Sequence, residues 1–134
     1  MSLQQPVQVS DAPSAIGPYS QAQFVDLGDR RMLWSAGQVG LDPSTMELVP
    51  GGVEAQTERA LLNLTAVLAG AGLTLANVVK TSVFLVDMAD FQAMNGIYAR
   101  YFQGVPPART TIAALGLPKN ARVEIEVVAI GPRG

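Results

Sequence analysis

The sequence predicts one α+β domain over residues 1–134, with a mixed β-sheet and two helices packed on one of its faces. Three observations carry this. A chain of 134 residues fits one domain and can bury a sizeable core without disulfides. Two segments repeat apolar residues at helical spacing. The segments around them alternate apolar and polar residues and are bounded by Gly, Pro, Asn and Asp.

Pro6, Pro13, Gly17 and Pro18 mark the first twenty residues as extended or turning chain, without a regular element. Gln23–Leu27 and Arg31–Ala36 flank Gly28-Asp29 and read as a β-hairpin. Asp42-Pro43-Ser44-Thr45 is a turn cluster, and Glu47-Leu48-Val49 suits a short edge strand. Val53–Gly70 is a helix, because Leu61, Leu64, Val67 and Leu68 form one apolar stripe and Gly70-Ala71-Gly72 ends it. Val78–Val86 is a strand covered on part of both faces. Asp87 suits an N-cap for a second helix reaching about Phe102, with Phe91, Met94, Tyr98, Tyr101 and Phe102 as its apolar stripe. Pro106-Pro107 stops that helix. Thr110–Leu115 and Ala121–Ile130 are strands joined through Leu117-Pro118-Lys119-Asn120. In the last strand Val123, Ile125 and Val127 share one face, and Glu124 and Glu126 share the other. Two carboxylates on one strand face require water, a polar interface or a site.

Composition excludes several chemistries. There is no Cys and no His, so disulfides, thiolate or imidazole metal sites, a Cys nucleophile and a His-based triad are absent. No acidic cluster is dense enough for a hard-metal site. The net charge is -2, and the only two lysines are Lys80 and Lys119, so no basic patch for a phosphate backbone is visible. Only 15% of residues are charged, against about 25% in a typical soluble domain. This fits either a surface partly covered by other subunits or a neutral, serine- and glutamine-rich surface, and composition does not separate the two. The start Met1-Ser2-Leu3-Gln4-Gln5-Pro6 has neither a basic nor an apolar targeting region, and no apolar run is long enough to span a membrane. A cytoplasmic or organelle-matrix protein is the default expectation. Gly37-Gln38-Val39-Gly40 does not continue into a phosphate-binding fingerprint.

Arg109 stands out among polar residues, because a guanidinium at a strand entrance grips a planar carboxylate through two parallel hydrogen bonds. A surface arginine or a structural ion pair is the plain alternative. Glu124 is a candidate base for a water held near Arg109, although periodicity does not separate it from Glu126. Tyr19 can close over a ligand or simply pack on the sheet edge. Gly37 lets backbone approach a ligand closely, and Asn95 and Thr111 can complete a polar pocket.

Several blocks together resemble the RidA/YjgF/UK114-type family, the reactive intermediate deaminases. They are Ala15–Ala22, Ser35-Ala36-Gly37-Gln38 with Leu41-Asp42-Pro43, and Val78-Val79-Lys80-Thr81. Asp87-Met88, Phe91, Asn95 and Tyr98 follow, then Pro107-Ala108-Arg109-Thr110, Leu117-Pro118-Lys119 and Val123-Glu124-Ile125-Glu126. The resemblance covers nearly the whole chain.

It implies a chorismate-mutase-like fold assembled as a homotrimer, with sheets around a central barrel-like interior, helices outside, and ligand sites between subunits. The implied activity is hydrolysis of 2-imino acids or their enamine tautomers, such as 2-iminobutanoate and 2-iminopropanoate, to 2-oxo acids and ammonia. These intermediates leak from pyridoxal-phosphate (PLP)-dependent dehydratases, while the deaminase needs no cofactor. Carried onto this chain, Arg109 binds the substrate carboxylate, Glu124 positions and activates water, Tyr19 closes the pocket, Asn95 adds polar contacts, and Gly37 and backbone around Thr111 orient the substrate. Three positions depart from the family pattern. Thr111 stands where many relatives carry cysteine, Ser35-Ala36-Gly37-Gln38 replaces the common Ser-Gly-Gln form, and Pro106-Pro107 replaces Tyr-Pro. Alternatives are a related enzyme for another imino or aminoacrylate substrate and a carboxylate-metabolite sensor. An endoribonuclease, translation-inhibitor or chaperone role, also ascribed to the family, finds less support in these residues.

Overall fold

Every second side chain from Val123 to Ala129 is buried, and this alternation builds the centre of the molecule. The structure is a computed structural model and describes residues 3–134, so the reading of Met1-Ser2 as the opening of the chain lies outside the described residues. Its strands are β1 (Gln5–Val7), β2 (Ala22–Leu27), β3 (Arg30–Ser35), β4 (Val78–Leu85), β5 (Ala108–Ala113) and β6 (Val123–Pro132). Its helices are α1 (Gly52–Ala69) and α2 (Phe91–Tyr101). The six strands form one sheet in the order β1-β2-β3-β6-β4-β5. All neighbours are antiparallel except β4 and β5, which are parallel and joined by α2 as the crossover.

Both helices pack together over one sheet face, as the pattern predicts. Leu61, Leu64, Val67 and Leu68 of α1 and Met94 and Tyr98 of α2 meet Leu33, Val83, Leu85, Ile125, Val127 and Ala129 in one buried cluster. The opposite face carries Trp34, Ser82, Phe84, Thr110, Ile112, Glu124, Glu126 and Val128, by alternation and register. Neither helix covers that face, and Trp34 remains 43% exposed and Ile112 49% exposed.

Four local features differ from the sequence reading. The N-terminal segment contributes β1, which pairs with β2 from Gln5↔Phe24 to Val7↔Ala22. The buried Gln21 side chain secures the chain that follows: Oε1 accepts from Val9 N–H at 2.7 Å, and Nε2 donates to the Val9 and Pro13 carbonyls at 3.0 and 2.8 Å. Glu47-Leu48-Val49 forms no strand; a single bridge joins Leu48 to Leu41. Asp87 caps a short 3-10 turn, Met88–Asp90, by accepting from Ala89 N–H at 2.9 Å, and α2 begins only at Phe91. Finally, β5 starts at Ala108 and places Arg109 inside the strand opposite Thr81. The two proline rings stop before this point, so pairing with β4 begins as soon as N–H groups are available.

Two polar ties hold the loops to this frame. Asn63, fully buried on α1, donates from Nδ2 to the Val39 and Leu41 carbonyls at 3.2 and 2.9 Å. Arg122 forms a forked pair with Asp90 at 2.7 to 3.0 Å, and its backbone N–H donates to Gln56 Oε1 at 2.8 Å. Replacing Asn63 by Leu leaves two carbonyls without their donor in an apolar setting. Asn63→Leu is expected to lower unfolding free energy by about 2–4 kcal/mol, read as a reduced urea midpoint at unchanged slope.

Candidate active site

The parallel pairing of β4 and β5 sets where Arg109 points. Arg109 pairs with Thr81, which is fully buried under the helices, so its side chain leaves the sheet on the helical side. There α2 presents Phe91, Asn95 and Tyr98, spaced to share one helix face. Arg109 Nη1 donates to Asn95 Oδ1 at 2.7 Å. Its guanidinium carbon lies 4.8 Å from the Tyr98 ring centre and 5.4 Å from that of Phe91, close enough for cation–π attraction. Tyr98 is itself fixed by a 2.8 Å hydrogen bond between its hydroxyl and Thr81 Oγ1, and burial pushes its phenol above the usual range. The ion pairs of the described residues are Arg30–Asp29, Arg31–Asp26, Arg122–Asp90 and Arg133–Asp26. Arg109 therefore has aromatic and amide support without a carboxylate among the described residues. Thr111 follows on the same strand face, and its Oγ1 is shielded from solvent with no hydrogen-bond partner.

Glu124 lies on the other side of the sheet. It pairs with Phe84, one residue out of phase with the inward Ile125, so its carboxylate projects from the face the helices leave uncovered. Gln38 bridges to Ile125 through N–H···O bonds of 2.8 and 3.0 Å, which lays Gly37 directly beside Glu124. A Cβ on Gly37 would stand 2.6 Å from Glu124 Oε2. Glycine is needed here for space, not for backbone conformation. Burial lifts the Glu124 carboxyl above its ordinary range, and the neighbouring Glu126 charge lifts it further. A cavity of about 60 Å³ opens at this point, its lining including Ser14, Tyr19, Gly37, Gln38, Lys119 and Glu124. Tyr19 is half exposed and is steadied by its N–H bond to Gly17 O at 2.8 Å. It also borders a larger cleft of about 690 Å³ beside β1, whose lining includes no charged side chain.

The predicted residues thus fall into two groups. Arg109, Asn95 and Thr111 come together beside α2. Tyr19, Gly37 and Glu124 come together on the far side of the sheet. Within one chain the two groups do not meet, because Arg109 and Glu124 occupy strand positions of opposite parity. The first group offers an electropositive, planar carboxylate anchor. The second offers a poised base in a small concave space. Reading the residues singly missed the support that Phe91 and Tyr98 give Arg109, as well as the contribution of Met46 to the cavity wall. The four- and seven-residue intervals from Phe91 to Asn95 and Tyr98 were the available signal for the first two. A Gly37→Ala exchange is expected to displace the Glu124 carboxylate and lower kcat by roughly 10²-fold with a smaller effect on KM, measured by steady-state turnover alongside a thermal melt.

Comparison with known proteins follows this geometry. A model of the family described as endoribonuclease L-PSP matches residues 9–131. The chain is 49% identical over 124 residues to Protein DfrA of Myxococcus xanthus, covering 92% of this chain and 93% of that protein. It is 51% identical over 127 residues to the 2-iminobutanoate/2-iminopropanoate deaminase of Mus musculus, covering 94% of this chain and 91% of the mouse protein. The crystal structure of YyfA from Yersinia pestis, described as belonging to the conserved Rid protein family, superposes with a TM-score of 0.86. That match has 42% identity and covers 94% of this chain and 98% of the other. The chain belongs to the endoribonuclease L-PSP family, the RidA/YjgF-type group that its sequence blocks resemble.

Proposed function

We propose that this protein hydrolyses small 2-imino acids, among them 2-iminobutanoate and 2-iminopropanoate, to 2-oxo acids and ammonia. The observation that carries this reading is the division of the site: a cation with no carboxylate partner among the described residues on one sheet face, and a carboxylate whose proton affinity is raised by burial on the other. Each half is chemically incomplete. A homotrimer completes it by setting Arg109, Asn95 and Thr111 of one copy against Tyr19, Gly37 and Glu124 of the next. The uncovered sheet faces then surround a central barrel-like interior in a chorismate-mutase-like assembly. This arrangement accounts for Trp34 and Ile112, two large apolar side chains left half exposed in the single chain.

In this scheme Arg109 grips the substrate carboxylate, and the Asn95 contact fixes the plane of the guanidinium. The Thr111 hydroxyl, without a partner among the described residues, supplies a further hydrogen bond to substrate. Glu124 takes a proton from water as its oxygen bonds to the imine carbon, and the carbon–nitrogen π electrons pass to nitrogen. Glu124 returns its proton to that nitrogen, giving the tetrahedral aminol; transfer of the aminol hydroxyl proton to nitrogen then lets the carbonyl form as the carbon–nitrogen bond breaks and ammonia leaves. One water is consumed, and no electron acceptor or cofactor enters the balance. Desolvation strengthens Glu124 as a base once ionised, because its proton affinity is raised. Tyr19 closes the small cavity over the reacting atoms. One cytoplasmic RidA-like domain over residues 1–134, receiving imines from PLP-dependent dehydratases, is the setting we infer.

Two outcomes test this reading. In a coupled assay with threonine dehydratase, the protein should speed the loss of semicarbazide-trappable 2-iminobutanoate. Arg109→Ala should cut kcat/KM by roughly 10²-fold or more, the scale of losing a desolvated charge contact, while sedimentation shows an unchanged assembly. Full activity in that folded variant would remove Arg109 from the mechanism. The pH profile gives the second outcome. The base must be ionised, so kcat/KM rises with pH as Glu124 loses its proton, with a midpoint above the ordinary glutamate range. Glu126→Gln removes the neighbouring charge, so the same limb should move to lower pH, and an unmoved limb would exclude this electrostatic coupling.

A further inference from the structure

The lining of the cavity beside Glu124 also includes the apolar residues Met46, Ile16, Leu41 and Pro118, together with Ser14 and Lys119. The φ of Met46 is 60°, left-handed like that of Lys119 in the same lining, a conformation that favours glycine and is rare for a bulky side chain. The surrounding loop holds it in place. Met46 N–H donates to Asp42 O at 2.7 Å, Asp42 N–H donates to Glu47 O at 2.9 Å, and Asp42 Oδ1 accepts from Ser44 N–H and Oγ at 2.8 and 2.6 Å. The Met46 side chain packs on the small buried cluster of Val39, Leu41 and Ala121. A strained backbone that is so fully restrained, with its side chain forming the wall of a cavity, is a feature expected of functional sites.

We propose that Met46 is a specificity-determining residue that limits the side chain of the substrate to small, apolar groups. This deepens the deaminase reading and rests on it. In the deaminase reading Arg109 of the neighbouring copy holds the substrate carboxylate and Glu124 faces the imine carbon, so the carboxylate lies outside this cavity, whose lining also includes Lys119 and Ser14. The substituent on the imine carbon is then the part left to meet Met46, Ile16 and Leu41. About 60 Å³ equals roughly two water volumes, room for a methyl or ethyl group and little more. The thioether is flexible and polarizable, which suits it to closing on groups of slightly different shape.

The test uses the full-length protein and imines made in place by an amino-acid oxidase from alanine, 2-aminobutanoate, norvaline and leucine. Wild type should favour the first two. Met46→Ala should raise the leucine-derived to 2-aminobutanoate-derived ratio of kcat/KM by at least about 10-fold, since one methylene in an apolar pocket is worth roughly 10- to 200-fold. Met46→Gly, which accepts φ 60° without a Cβ, repeats the measurement if alanine disturbs the loop. Met46→Leu should restore the wild-type ranking. Equal changes on all four imines in a folded Met46→Gly protein would overturn the specificity role and leave the deaminase reading intact. Wild-type inactivity on all four would overturn that reading and this inference together.

Discussion

The register of β6 between β3 and β4 is the constraint on which the rest of the molecule depends. It points Ile125, Val127 and Ala129 under the helices and sends Glu124 and Glu126 the other way. A slip of one residue would bury two carboxylates and expose the core set, a reversal that no local rearrangement could offset. The placement of Glu124 and the formation of the core are therefore one decision. The helix side is secured by apolar packing, and that security allows a desolvated carboxylate to persist on the opposite side. Gln38 reinforces the same register by bonding to Ile125, and through it Gly37 reaches its place beside Glu124.

Much of this order is legible in the residues themselves. The alternation of Val123–Ile130 and the stripe of α1 depend on short-range periodicity and lie close to their expected bounds. Strand β1 was not legible because Gln5-Pro6-Val7 has no strand pattern of its own; pairing with β2 and the buried Gln21 create it. The start of β5 depends on the partner strand β4, which no window around Pro106-Pro107 contains. The deferred start of α2 has a local cause, since Asp87 satisfies the N–H of Ala89 in a 3-10 turn before α-helical bonding begins.

The site was legible in its residue types and less so in its arrangement. Arg109 and Glu124 announce themselves by chemistry, and the family resemblance supplies their company. Their opposite orientation is a matter of parity across three strands, visible only when Thr81↔Arg109 and Phe84↔Glu124 are set side by side. The support of Arg109 by two rings escaped notice because Phe91 and Tyr98 also read as core residues, and they serve as both. Met46 gave no sign, because a left-handed backbone leaves no mark when the residue is not glycine or asparagine.

The forked pair between Arg122 and Asp90 acts as a mechanical clip. It joins the root of β6, which carries Glu124, to the turn from which α2 grows toward Asn95. The two chemical faces of one copy are thereby parts of a single stiff wedge. In the proposed ring each wedge presents its base forward and its anchor backward, so the alignment of every catalytic pair is inherited from the angle at which neighbours seat. Tolerances then accumulate around a closed circuit instead of within a chain, and a small error at one seam must be shared by all three.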